Sequence, residues 1–249
     1  MKLKKKHRTG RTEQLLEAAC EVFAEKGYSD ATVMEICKHA GANVAAVNYY
    51  FGNKETLYVE AWRLAFHRSL ETHPPDGGVP SNAPAEQRLR GRILAAMQRL
   101  ADPKSHEFEI IRKELANPTG LLAEVIRKSI EPLRHELGSI VRELLGECAS
   151  EQQVLLCQMS IRAQCFDMMI REQHRKMFKS NGMKTNLLPA ELKIEDIADH
   201  VMRFSLAGIR EIRRQIEAGE LAAQGNAVNG NSGCNSELQN ERLDKISIS

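Results

Sequence analysis

The sequence predicts an all-α protein, and three observations predict it. Apolar residues recur at three- and four-residue intervals in one segment after another, the period of a helix with one buried face. Clusters of β-branched residues in strict alternation are missing, and aromatic residues make up only 5% of the chain. Most Gly and Pro residues fall between the periodic segments, where they act as stops and turns. The chain has 249 residues, enough for one large or two small domains with real cores.

Residues 1–11, MKLKKKHRTGR, form a basic arm with Lys2, Lys4, Lys5, Lys6, Arg8 and Arg11 and no acid. No apolar stretch follows, so the arm is not read as a secretory leader. A first helix from about Thr12 to Lys26 puts Leu15, Ala19, Val22 and Phe23 on one stripe, and Gly27 ends it. Thr32 caps the second helix, and Glu35 three residues later completes a capping box. Gly41 stops that helix, because Gly takes a left-handed backbone without a Cβ clash. Asn43 caps a third, short helix, Val44–Phe51, closed by Gly52. Asn53 then caps a fourth, which carries Leu57, Ala61, Leu64 and Ala65 to about Glu71.

The second and third helices, joined by a short Gly-containing turn, have helix-turn-helix geometry, in which the later helix fits the DNA major groove. Val47 and Phe51 form its inward side and leave Val44, Ala45, Ala46, Asn48, Tyr49 and Tyr50 on its other faces. Ala and Val can touch a thymine methyl, and Asn can bond adenine bidentately. Thr32, the Tyr hydroxyls and Lys54 suit phosphate oxygens. On spacing alone, an ordinary helical hairpin with an exposed polar face competes with this reading.

Residues 72–85, THPPDGGVPSNAPA, read as a loop or flexible connection. A helix from about Ala85 turns Leu89, Ile93, Met97 and Leu100 inward and stops at Asp102-Pro103. A short helix, about Glu107–Ala116, ends at Asn117-Pro118. Residues 119–146 repeat Leu122, Ile126, Ile130, Leu133, Leu137, Ile140 and Leu144, with Pro132 expected to kink or split the run. Glu151–Ser180 forms a long helix with Val154, Ile161, Cys165, Met168 and Met169 on its stripe. The last helix, about Ile194–Ala218, presents Ile197, Val201, Ser205, Gly208, Ile209, Ile212 and Ile216. The Asn-, Ser- and Gly-rich residues 219–249 read as a disordered tail. The expected domains are thus a DNA-binding head over 12–52 and a helical regulatory and dimerisation body over 53–218.

The stretch LLEAACEVFAEKGYSDATVMEICKHAGANVAAVNYYFGNKETLYVEAW resembles the N-terminal domain of the TetR family of transcriptional repressors. The matching features are AxxxFxxKGY, the T-xx-EI-xxxAG helix and the ending NYYFGNKExL, over about residues 11–63. Asn43 and Asn48 depart from the family's commonest form, in which Ser or Thr caps the recognition helix and Tyr stands where Asn48 is. The form GANVAAVNYYF is similar to a branch linked to control of drug-efflux genes. The resemblance implies a cytoplasmic, sequence-specific, ligand-responsive DNA-binding regulator, a repressor that sits as a homodimer on a palindromic operator. It places the DNA contacts at Thr32, Asn43, Val44, Ala45, Ala46, Asn48, Tyr49, Tyr50 and Lys54. It also implies that the last two long helices pair with those of a second copy, with Val201, Ser205, Gly208, Ile209 and Ile212 in that interface.

The body of such a regulator receives a small-molecule effector, here expected between the helices of 85–146 and the start of 151–180. Met97, Phe108, Met159, Arg162 and Phe166 are its candidate lining, with plain core packing the competing reading for the apolar ones. No catalytic residue, metal or cofactor is expected: HExxH, a Gly-rich phosphate loop and a nucleophile elbow are missing. Glu131 and His135 at i,i+4 are only half of a bundle metal site. No run approaches the roughly 18 apolar residues of a membrane span. The six cysteines form no CxxC pair and read as reduced thiols, Cys20 and Cys37 in the core. Another reading, a helical adaptor that keeps the fold without operator binding, is opposed by the intact polar set around Asn43 and Asn48.

Overall fold

The computed structural model describes residues 10–180 and 193–227, with side chains for those outside 168–180 and 220–227. Among the described residues the chain is entirely helical, with no strand: α1 (Gly10–Asp30), α2 (Val33–His39), α3 (Val44–Phe51), α4 (Lys54–Thr72), α5 (Ala85–Ala101), α6 (His106–Ala116), α7 (Ala123–Leu145), α8 (Glu151–Ser180) and α9 (Ile194–Ala227). Residues 1–9, most of the expected basic arm, lie outside the described residues.

Local chemistry sets most boundaries. Thr32 accepts from the Glu35 amide at 3.1 Å, Asn43 from Ala46 at 2.9 Å and Asn53 from Thr56 at 2.8 Å, so each occupies one orphan donor at a helix start. The expected capping box at α2 is only half formed, because the Glu35 carboxylate takes its hydrogen bond from Lys26 Nζ. Gly27 does not end α1; it kinks it at φ 78°, and a last turn continues to Asp30.

Two apolar clusters organise the fold. In the first, Leu15, Leu16, Phe23, Ile36, Val47, Leu57, Tyr58 and Trp62 pack with Ile110 of α6 and with Leu122 and Val125 around the start of α7. In the second, Leu89, Ile93 and Met97 of α5 meet Leu137, Ile140 and Val141 of α7, Val154 and Ile161 of α8, and Val201 and Ile209 of α9. The helix α7 therefore runs from one cluster into the other. It is a single helix with Pro132 inside, not two pieces. Pro132 removes the bond to the Lys128 carbonyl, but both residues are exposed, so water can satisfy the freed oxygen.

The segment after α4 is a packed connection, not a flexible one. Gly77 has φ 62°, and a Cβ on it would stand 2.5 Å from the Gly91 carbonyl oxygen on α5. A Cβ on Gly91 would in turn strike the Asp76 carbonyl. Two glycines thus let the turn lie directly on α5. At the other end, the helix α9 continues into the expected tail as far as Ala227. Residues 228–249, including Cys234, lie outside the described residues.

Candidate functional site

Val47 is fully buried under α3 and fixes which faces of that helix point outward. Val44, Ala45, Asn48, Tyr49 and Tyr50 are exposed, and Tyr49 is 82% accessible. The Tyr49 and Tyr50 rings meet edge to face at 5.0 Å, which holds two hydroxyl-bearing rings together in a largely solvated place. Ala46 is half-buried and packs against the head's core. Thr32 and Asn43, both exposed, spend their side-chain oxygens on helix caps. Lys54 is half-buried: its ammonium rests over the Tyr28 ring, 4.3 Å from the centroid. Burial pushes the Lys54 pKa below its ordinary value. Tyr28 in turn donates to Glu55 at 3.0 Å. Sequence reasoning did not find this seat for Lys54, because its partner lies on another helix.

A cavity of about 150 Å³ opens in the body between α4, α5, α6, α7 and α8. Phe66, Ile93, Leu100, Phe108, Leu133 and Phe166 give it an apolar wall, and an apolar space of this order takes a ring or short chain. Of the expected lining residues, Phe108, Arg162 and Phe166 are there. Met97 is fully buried in the second cluster, and Met159 is half exposed on α8; neither reaches the wall. Both follow helical period, which cannot distinguish a core position from a cavity wall.

Of the polar lining, Arg162 was expected, but Arg92, Arg99, Glu107 and Arg134 were not. Arg99 and Glu107 form a buried bidentate ion pair, both Glu107 oxygens at 2.8 Å from Arg99 Nη2. Arg99 Nε donates to Ser69 Oγ at 3.1 Å, and the guanidinium lies between the Phe66 and Phe108 rings at 5.5 and 5.6 Å. Burial pushes the Glu107 carboxyl up, against the opposing pull of Arg99 and Ser69. Arg92 is satisfied by Glu136. Arg162 differs, because its buried Nε has no hydrogen-bond partner. Burial, then the nearby Arg134 charge, pushes Arg162 below its ordinary pKa.

The helix α9 turns most of the residues expected at a dimer interface toward its own chain. Val201, Ser205 and Ile209 are buried against their own chain, and Ile212 is half-buried there. Ser205 accepts from Gln164 of α8 at 3.3 Å. Of the expected set only Gly208 faces outward, with nothing within 4 Å of where its Cβ would be. The apolar residues that do point out are Leu155, Leu156 and Met159 on α8 and Phe204 on α9, the last 66% exposed. No cluster of three or more metal-binding side chains occurs among the described residues, and none of their helices is long and apolar enough to cross a membrane.

Residues 15–61 match the family described as bacterial regulatory proteins, tetR family. Residues 85–209 match the C-terminal domain of the HTH-type transcriptional dual regulator CecR. The curated CecR of Shigella flexneri is 30% identical over 153 residues, 57% of this chain and 68% of that protein. Among solved structures, a putative transcriptional regulator from Pseudomonas aeruginosa superposes with a TM-score of 0.63 at 20% identity, covering 82% of this chain and 92% of that one. The regulator FadR from Bacillus subtilis, in complex with stearoyl-CoA, gives 0.58 at 21% identity, covering 79% and 98%. At these identities the two superpositions establish the fold.

Proposed function

The chain belongs to the TetR family of bacterial regulatory proteins, and we propose that it is a ligand-responsive repressor that binds a palindromic operator as a homodimer. Members of this family are transcriptional regulators that bind DNA, not enzymes. The observation that carries the proposal is the exposed face of α3. Small side chains at Val44 and Ala45 let the backbone approach base edges, and Asn48, one turn on, presents an amide matched to adenine. Tyr49, Tyr50 and Thr32 supply hydroxyls for phosphates, and Lys54 adds a cation held by Tyr28. Asn43 serves by capping α3. Ala46, half-buried, sets the helix on the head.

The second copy sits on the outward face of α8 and α9. Leu156, Met159 and Phe204 offer an apolar patch, and the open space at Gly208 permits close helix approach. A two-fold pair of recognition helices then meets half-sites about 34–36 Å apart, or a multiple of that. The cavity beside Phe108, Arg162 and Phe166 is the effector site. A relative of the same fold described with stearoyl-CoA supports effector binding in this architecture. The protein acts where the chromosome is, in the bacterial cytoplasm, and genes for drug efflux are the targets its recognition-helix sequence favours.

Selection of genomic fragments on the purified protein, followed by sequencing, tests the proposal. An enriched inverted repeat is the expected result. Retention of all fragments alike would instead favour a helical adaptor without operator binding.

A further inference from the structure

We infer that the cavity takes an amphipathic organic anion, with its acidic head at Arg162 and Arg134 and its apolar body directed inward to Phe66, Leu100 and Phe108. The inference deepens the effector reading above and rests on it.

Four guanidiniums and one carboxylate line this cavity. Three of the five are accounted for within the chain. Arg99 and Glu107 neutralise each other at the buried end, and Arg92 pairs with Glu136. Among the described residues Arg134 has only Glu131, at 4.0 Å on its own helix and 61% exposed, a contact that contributes little in water. Arg162 pairs with no acid among the described residues, and its Nε is buried without a partner. A buried donor with no acceptor is costly, the more so on a cation. A second cation beside it deepens that cost. An anion at this point would pair with the Arg162 guanidinium and screen the two cations from each other. A carboxylate does so best, because its two oxygens match the guanidinium fork.

The orientation follows from exposure. Arg134 and Phe166 are half exposed and mark the open side, whereas Glu107 is buried at the inner end. An anionic head placed inward would face the Glu107 carboxylate. Placed outward, it meets two cations and stays near water, while an apolar body replaces nothing but apolar contact.

Octanoate, octan-1-ol and octylammonium share one apolar body and differ in head charge, so calorimetry with the three on the full chain tests the inference. Octanoate should bind at least about tenfold more tightly than either of the others, the scale of a charge-assisted bond. Arg162→Met keeps the apolar stem and should abolish that preference. Arg134→Met should reduce it. Equal binding of octanoate and octanol, tighter binding of octylammonium, or binding of none would overturn the ligand class, as would an Arg162→Met protein that keeps the preference. The wild-type comparison decides the matter even if a variant does not fold. Operator release is measured separately. Octanoate binding without release from DNA would leave the ligand class standing and count against the effector reading. Release by a tighter-binding neutral or cationic probe would do the reverse.

Discussion

Arg99 and Glu107 illustrate how much one buried pair can demand of its surroundings. Desolvating both charges costs several kcal/mol each, and their attraction offsets this only with near-ideal geometry. Both Glu107 oxygens are engaged, Ser69 fills a further site, and two aromatic rings flank the guanidinium. Glu107→Ala or Arg99→Ala alone should therefore cost about 3–5 kcal/mol in urea unfolding, because each strands a buried charge. The double variant Arg99→Met with Glu107→Leu should recover most of that loss. Equal destabilisation by single and double variants would mean that shape, not charge, dominates. The thiols give a second check at this scale. Burial pushes Cys165, in the cavity wall, up to about 11, and Cys20 up to about 12. At pH 8 about one Cys165 in a thousand is then a thiolate, so alkylation of the native protein should label exposed Cys148 well before Cys165. Mass spectrometry that finds Cys165 labelled as fast as Cys148 would contradict that burial.

Among the elements, α3 carries the sharpest functional prediction. Asn48→Ala should cost about 1–3 kcal/mol of discrimination between operator and random DNA, with little loss of general affinity. Lys54→Ala should weaken both about equally, through its phosphate contact. Titrations on the two DNAs separate these outcomes, and parallel losses in both variants would merge the roles. The bounds of α3 were legible because its determinants are local: Asn43 and Gly52 adjoin the helix they close. Long α8 and the start of α9 were legible from period alone. What the sequence hid depends on distant partners. Lys54 reads as a free cation until Tyr28, on α1, comes under it. Glu107 reads as a solvated first-turn acid until α5 brings Arg99. The helix α9 has two apolar faces, and periodicity selects the stronger, Val201–Ser205–Ile209, which packs into its own chain. The weaker face, around Phe204 and Gly208, has too few apolar residues to register as a stripe. Pro132 does not split α7, because its exposure, which sets the cost of the lost bond, is not a local property of the sequence.

At the scale of the whole molecule, assembly and switching follow from which faces remain open and which helices join the two clusters. Phe204→Glu puts a charge on the exposed face and should leave a folded monomer with greatly weakened operator affinity. Val201→Glu should instead unfold the chain, because Val201 is core. Sedimentation and circular dichroism distinguish the two, and a dimeric Phe204→Glu protein would move the interface elsewhere. Switching needs a route from cavity to head, and α6 supplies one. Its Phe108 lines the cavity, its Ile110 is buried in the head's cluster, and its Glu114 accepts from Tyr58 of α4 at 3.1 Å and from the Thr119 and Gly120 amides before α7. A ligand moves an equilibrium only by its differential affinity for the two states. A bound body pressing on Phe108 therefore acts on an element already bonded to α4 and to the α7 entry. Phe108→Ala removes the contact the ligand would push against, and Ile111→Ala loosens the packing of α6 on the first cluster. Each should leave octanoate and operator binding measurable one at a time. Each should also shrink their mutual effect, ordinarily about 5- to 150-fold for coupled sites, towards unity. Calorimetry with octanoate beside fluorescence anisotropy on labelled operator reads both quantities from the same preparation. If both variants respond as wild type does, or neither folds, α6 is only core and the signal travels along α7, which spans the two clusters directly.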